Sequence, residues 1–479
     1  MRTRSREASA GSRHHRARTT WGALLRETAD LDIYDLNYAA GSERLGRCHQ
    51  SQLVPRWSGS LASLARFVAG FVATAVWMLR SRRRPARLQA AAASTGSTPV
   101  VAAVATVNQR RAIEPVLEHL TDARIVGIAR ASGLGGFPLL TPYLVALGLA
   151  QQSLRRRSAA RGYQALSWRY FGHQHVLVPG FYVVARRWLE AERPPCVIVS
   201  NDHSMPPRTF AAAAAASGVT TVYLQHASVT TNFPPLDYDL AFLDGRDALD
   251  KYLAVGPVRG DIYLLGSPLH DALIERGHRH ARTGAVGICL NVLDDEATVV
   301  ALVAALTPAV GGARLRVRVH QADGRDWSSL LAGVELESVA ERPLVDFLDD
   351  VDVVLAGSTN VHLEAAVYGL PSTTFDPVAA DQDVYGFIAG ELIPAQRSPE
   401  AAARWAAARL HDPEPLRVAA VSHYNATVGT PHAGRSAALI AAVIEHAVTG
   451  AERGTPVALK TRRVGDALVH EPVDGVPSA

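Results

Sequence analysis

The stretch VDVVLAGSTNVHLEAAVYGLPSTTFD, residues 351–376, decides how this chain folds. Residues 351–355 are a short apolar run, rich in β-branched side chains and closed by Ala-Gly, which reads as a strand buried on both faces of a parallel sheet. Ser358, Thr359 and Asn360 are residue types that cap a helix N-terminus. Val361–Tyr368 then keeps helical spacing until Gly369 and Pro371 stop it. Residues 372–375 read as the next strand. A strand that feeds a polar turn and a helix start presents free backbone N–H groups and a positive dipole end, a setting suited to phosphate. Glu364 stands four residues after Asn360, off the capping-box position. It either faces a ligand's hydroxyls or simply answers the dipole.

Strand-like and helix-like runs alternate on both sides of this stretch. Residues 100–104, 124–128, 196–200, 221–225, 240–243 and 262–265 read as strands, with helices over 112–120, 139–154 and 208–217. After a polar hinge at 278–283, residues 286–290 and 315–320 read as strands around a helix at 296–306, and 343–348 read as a short helix. The alternation predicts an α/β protein of two Rossmann-like, doubly wound domains facing a cleft, because ligands of open parallel sheets bind beyond the strand carboxyl ends. The expected divisions are a basic N-terminal extension (1–97), an acceptor domain (98–277), a nucleotide-donor domain (283–449) and a flexible tail (450–479).

With 479 residues, 48% of them hydrophobic, the chain has enough apolar side chains for two to three domains and is not a disordered protein. Cys48, Cys196 and Cys289 lie far apart without metal-type spacing, and are expected to be reduced thiols of a cytoplasmic protein. Residues 1–97 hold 16 Arg against 6 Asp and Glu, so the net charge of +4 conceals an acidic remainder. A basic excess confined to this segment argues against a nucleic-acid partner. Residues 61–79 are nearly all apolar. Arg66 interrupts them and leaves 67–79, short of the roughly 20 residues that span a bilayer. They read as an interfacial helix whose following Arg80, Arg82, Arg83, Arg84 and Arg87 meet an anionic membrane surface; the alternative is a core-packed helix before a solvated linker.

Four polar clusters fall at predicted strand ends: Asn201 with Asp202 and His203; Gln225 with His226; His320 with Gln321; and Gly357 to Asn360. Asp383 and Tyr385 are further candidates for the cleft border. Thr221-Val-Tyr-Leu-Gln-His226, preceded by Ser200-Asn-Asp-His-Ser204, resembles the strand and Gln-His-Gly segment of the GT-B transferases that build capsular and other surface polysaccharides, relatives of the teichoic-acid polyol-phosphate transferases. Gly266-Ser-Pro-Leu-His-Asp271 resembles their interdomain connector, and residues 351–376 their donor-binding turn. The likeness covers about residues 99–447. Ala227 stands where the family has glycine, and Gln321 where a proline commonly follows the second histidine.

The resemblance implies a glycosyltransferase with a nucleotide-activated sugar as co-substrate and no cofactor or metal. Its acceptor is a glycan or lipid-linked molecule at the cytoplasmic membrane face. It also implies that His320, Ser358, Thr359 and Asn360 hold the donor phosphates and Glu364 the ribose. Transfer requires a base for the acceptor hydroxyl. His226, with an ordinary imidazole pKa of about 6.5, is expected ahead of Asp202, whose carboxyl is ordinarily near about 3.9. The Asp349-Asp350-Val351-Asp352 run precedes its strand and reads as a turn, not a metal site. Alternatives are a polyol-phosphate transferase with a CDP-linked donor, a nucleotide-sugar 2-epimerase, and a catalytically degenerate binding scaffold.

Overall fold

The computed structural model describes residues 19–47, 58–81, 98–277, 282–331, 333–339, 342–412, 418–449 and 459–472. Residues 1–18, Cys48, Arg82, Arg83, Arg84, Arg87, the linker before residue 98 and hinge residues 278–281 lie outside them. The first sheet contains β1 (Val100–Val104), β2 (Ala123–Gly127), β3 (Cys196–Val199), β4 (Thr220–Leu224), β5 (Asp237–Leu243) and β6 (Arg259–Leu264). The second contains β7 (Ala285–Cys289), β8 (Arg314–Val319), β9 (Glu335–Ser338), β10 (Val353–Ala356) and β11 (Ser372–Thr373). A hairpin, β12 (Leu459–Val464) and β13 (Ala467–Pro472), returns to the first sheet, whose order is β12-β13-β6-β5-β4-β3-β1-β2; the second runs β11-β10-β7-β8-β9. Every pairing is parallel except β12 with β13. These are the two doubly wound domains of the expected GT-B architecture.

The apolar runs become strands because both sheet faces are covered, so no alternation with polar residues is needed. Every residue of β1, β3 and β10 is buried. One face of the first sheet packs Phe181 and Trp188 of the helix Gly162–Glu192 and Phe210 of the helix Met205–Ala216. The other packs Ile113 and Val116 against Ile440 and Ile444 of the helix Ser436–Thr449. In the second sheet, Phe347, Leu363 and Tyr368 cover one face, and Leu302, Leu306, Ala402 and Ala406 the other.

Three expectations require correction. The tail is not loose between residues 459 and 472: β13 pairs with β6 and buries Ala467 and Val469 in the first core. The helix Ser436–Thr449, expected in the second domain, also belongs to the first, and Asp271 receives the backbone N–H groups of Ser436 and Ala437 that begin it. The chain therefore crosses between domains twice, and the crossings touch. Gly266 has φ +75°, and a Cβ there would lie 2.5–2.6 Å from Asn425, Thr427 and Ser436, so only glycine fits this connector. Finally, the described part of the N-terminal extension is docked. Ile33 and Leu36 enter the first core, and Arg66 does not break the apolar helix, which runs unbroken over Ser60–Ser81. Its guanidinium turns inward to the Tyr170 carbonyl at 2.7 Å. At 22 residues this helix is long and apolar enough to cross a membrane, by length and composition.

The strand carboxyl ends of the two sheets are joined by direct contacts. Ala426 N–H donates to the Asp244 carbonyl, just after β5, at 2.8 Å. Tyr424 donates to the Gly386 carbonyl at 2.7 Å and packs on Phe387, whose ring meets His362 in the first turn of the helix Val361–Tyr368. Lys251, from the first domain, donates to the Tyr385 carbonyl at 2.7 Å.

Candidate functional site

At the carboxyl edge of the first sheet, the chain leaves β3 through a turn that uses nearly all its own polar atoms. Asn201 Oδ1 accepts from the His203 N–H, the Ser204 N–H and the Ser204 hydroxyl at 3.1, 2.7 and 2.6 Å. Asp202 is 1% exposed; the Tyr252 hydroxyl donates to its Oδ2 at 2.5 Å, and His203 Nδ1 lies 3.1 Å from its Oδ1. Tyr223 extends this chain to Tyr252 at 3.1 Å. With Nδ1–H of His203 given to Asp202, Nε2 is the acceptor, and it meets the Asn201 amide at 3.2 Å. Both ring nitrogens of His203 are thus occupied. Asn201, expected at the cleft, is a turn-former.

β4 ends beside this turn. Gln225 is likewise structural: its Oε1 accepts from the Asp244 N–H at 3.0 Å and its amide donates to the Ala227 carbonyl at 3.1 Å. His226 differs. One ring nitrogen is held by the Ser200 backbone, while Nδ1 is buried without a hydrogen-bond partner. Burial, reinforced by His203 and opposed by Asp202, pushes its imidazole down to about 4. The ordinary value near about 6.5 expected from the sequence does not survive desolvation. The ring is therefore neutral at physiological pH, with its Nδ1 lone pair free; it is a weaker base than expected, but one that is unprotonated near pH 7.

The edge of the second sheet has the opposite character. After β10, Gly357 passes so close to Asp294 that a Cβ would lie 2.2 Å from its Oδ1. Ser358, Thr359 and Asn360 then lead into Val361–Tyr368, half-buried and with little internal bonding. Asn360 makes no side-chain cap, and its Oδ1 is buried without a partner. The first-turn N–H groups of a helix have no intrahelical acceptors, so this turn carries a positive end. Glu364 is half-buried with no hydrogen bond or ion pair among the described residues. Burial pushes its carboxyl up to about 7, with Arg318 pulling it down. Arg318 itself is spent on Glu337 and the Arg342 carbonyl, both at 2.8 Å.

His362 holds the turn in place, a role the sequence reading missed. Its Nε2–H donates to the Gly357 carbonyl at 2.9 Å, leaving Nδ1 to accept from the Ser372 hydroxyl at 3.1 Å, and burial keeps the ring neutral at about 4. Asp294, two residues before the helix Glu296–Ala309, lies against the same turn. Burial raises its carboxyl to about 6 beside Gly357.

The remaining candidates scatter. His320 follows β8 and accepts the Ala322 N–H on Nδ1 at 3.1 Å; its loop reaches the turn after β7 through Arg325, which donates to the Asn291 and Asp294 carbonyls. Asp383 does not offer a free carboxylate, because it accepts the Ile388 and Ala389 N–H groups from a left-handed position at φ 35°. Tyr385 stacks on Phe387 and joins the domains through Lys251. Asp349, Asp350 and Asp352 lie before β10, bound to Arg276, to Arg316 and Arg342, and to the Thr283 and Gly284 N–H groups respectively. Their carboxylates are used at the amino edge of the sheet.

No protein-family model matches the chain, and no curated protein matches it. Distant likenesses occur among solved structures. Staphylococcus aureus MnaA, solved with UDP, is 13% identical over 74% of this chain and 97% of its own, with a TM-score of 0.47. The UDP-GlcNAc 2-epimerase of Methanocaldococcus jannaschii, in complex with UDP-GlcNAc and UDP, is 11% identical over 73% and 99%, with a TM-score of 0.45. The glycosyltransferase SnogD from Streptomyces nogalater is 15% identical over 72% and 99%, with a TM-score of 0.42. At this distance the chemistry has to be argued from the residues of this chain.

Proposed function

We propose that the protein is a metal-independent GT-B glycosyltransferase that moves a sugar from a nucleotide-activated donor to a surface or capsular glycan acceptor at the cytoplasmic membrane face. The observation that carries this reading is the pairing of two strand-end sites: a buried, unpartnered Nδ1 on His226 in one domain, and an unpartnered Asn360 Oδ1 and Glu364 at a helix start in the other. The acceptor hydroxyl oxygen attacks the anomeric carbon as the bond from that carbon to the donor phosphate breaks. His226 Nδ1 takes the hydroxyl proton, and the nearby Asp202 charge favours the resulting imidazolium. The leaving nucleoside diphosphate keeps the electron pair, and the N–H groups at Ser358 to Val361 receive its charge. Ionised Glu364 accepts hydrogen bonds from ribose hydroxyls, and His320 approaches the phosphates from the neighbouring loop.

The exposed apolar face of Ser60–Ser81, including Leu64, Val68 and Val72, supports attachment to the membrane without spanning it, since the opposite face packs on the first domain through Phe67 and Tyr143. Replacing these three residues with Asp should release the protein from anionic vesicles. A panel of UDP-, CMP-, CDP- and GDP-linked donors read by thermal shift tests the donor site: a ligand at 100 times its Kd adds about 2.7 kcal/mol. Absence of any shift sinks the reading. A shift confined to CDP-linked polyols moves it to a polyol-phosphate transferase.

A further inference from the structure

We infer that the N-terminal segment 32–47 is part of the first-domain site, in which Asp35 and Arg208 are positioning residues that keep the Asp202 carboxylate available to His226. The inference rests on the proposed transferase activity and adds residues to its proton-handling side. Residues 32–47 precede the stretch, 99–447, whose motifs carry the family likeness, so no motif gives them a role. The segment forms two short helices, Ile33–Leu36 and Tyr38–Gly41. Ile33 and Leu36 anchor it in the first core, and the Ala40 carbonyl accepts from the Ser167 hydroxyl of the long helix at 2.5 Å. So anchored, it grips two consecutive carbonyls of the turn after β3. The Ala39 N–H donates to the His203 carbonyl at 2.8 Å. Arg208 Nη1 donates to the Asp202 carbonyl at 2.8 Å, while its Nε and Nη2 donate to the Asp35 carbonyl and to Asp35 Oδ1, both at 2.7 Å. Arg44 reaches the loop that follows His226, donating to the Thr231 carbonyl at 3.2 Å. The two turns are themselves tied where the His203 ring lies on Phe233, with centroids 4.4 Å apart.

Charge gives Asp35 its role. Arg208 is largely buried, and a buried cation stripped of its partner is costly. Asp35 is the carboxylate it bonds, and Asp202 is the other carboxylate near enough to act on it. Both oxygens of Asp202 are already committed, one to Tyr252 and one to His203. Without Asp35 the guanidinium turns from the Asp202 carbonyl to its carboxylate, where a charge-assisted bond outcompetes the neutral donors. That pairing neutralises the charge that favours the His226 imidazolium. Proton removal from the acceptor slows, while the donor contacts in the other domain are untouched.

Asp35→Ala tests this, because the half-exposed side chain can be shortened without opening the core. Transfer is followed from whichever of the UDP-, CMP-, CDP- and GDP-linked donors shifts the wild type, with extracted envelope glycan as acceptor. The variant should lose at least tenfold in kcat with donor KM within twofold, and should stay on anionic vesicles. Asp35→Glu keeps the charge and should recover kcat to within threefold. Deuterium exchange at the His203 and Ser204 N–H groups, which needs no ligand, should rise at least fivefold in Asp35→Ala. An unchanged kcat, unchanged exchange, or an equal loss in Asp35→Glu overturns the inference. So does a loss of donor affinity in step with kcat, since that marks general loosening of the fold. If the wild type transfers no sugar from any donor, the transferase reading fails; faster exchange in Asp35→Ala then still sustains the positioning role, and unchanged exchange ends it.

Discussion

The two sheet edges differ in how they treat their polar groups. At the first, Asn201, Asp202, His203 and Gln225 bond to one another, to Tyr252 or to nearby backbone, and His226 Nδ1 alone is left over. At the second, Asn360 and Glu364 are left without partners on the end of a helix. A saturated network fixes one lone pair to within the precision that proton transfer needs, at the cost of adaptability. An unsaturated turn lies ready for a ligand to complete it. Under the proposed function, proton chemistry belongs to the first domain and donor binding to the second.

The comparison breaks most sharply at His226. His226→Ala should lower transfer by about 10²–10⁴-fold, the usual worth of a positioned base, equivalent to about 3–5 kcal/mol. Nucleotide binding should stay close to wild type, measured by the same thermal shift; loss of binding without loss of turnover by bound donor would reverse the two assignments. Asp202→Ala comes next. It removes the acceptor for the Tyr252 hydroxyl and the His203 N–H, both in a buried setting, and should destabilise the fold by about 3 kcal/mol in urea unfolding. The second edge should not register this change, so donor affinity is the control.

The same contrast explains what the sequence could reveal. Buried parallel strands print as apolar runs, so both sheets and the strand-end clusters were legible from residues such as 100–104 and 351–355. The partnerships were not. Asp202 and Tyr252 lie fifty residues apart, and nothing local marks Tyr252 as the donor. The helix Gly162–Glu192 went unread because it contains Gly172, Pro179 and Gly180, is kinked at Phe171, and buries residues around most of its circumference, which erases the amphipathic signal. The strand β12, Leu459–Val464, reads LKTRRV and lies at a sheet edge, where exposed charged side chains hide a strand while protecting it. The helix Ser436–Thr449 is plain in sequence, but no local feature says which of two sheets it will cover.

Glu364 sharpens the second half of the comparison through pH. Its carboxyl is raised from 4.5 to about 7 by burial, so between those values the folded chain keeps a proton that the unfolded chain has lost. Stability therefore falls as pH rises through that window, and the full penalty is present above pH 7. Glu364→Gln should accordingly stabilise the protein by about 2–3 kcal/mol at pH 8 and by nothing below pH 4.5, measured by denaturant unfolding at both values. Donor affinity supplies the second readout. In the wild type it should climb as Glu364 ionises near pH 7, and in the variant it should be weaker and flat.

The smallest expected effect probes how firmly the open turn is held. Among the described residues Ser372 is the donor to His362 Nδ1, and that bond fixes the tautomer whose Nε2–H grips the Gly357 carbonyl. Ser372→Ala removes a single buried hydrogen bond, worth about 1 kcal/mol. The imidazole is then free to place its proton on either nitrogen, and one of those tautomers sets a lone pair against the Gly357 oxygen. Nucleotide affinity should fall about fivefold while His226-dependent turnover of bound donor is unchanged. A comparable loss of turnover at saturating donor would mean that the turn does more than bind, and the division of labour between the two edges would have to be redrawn.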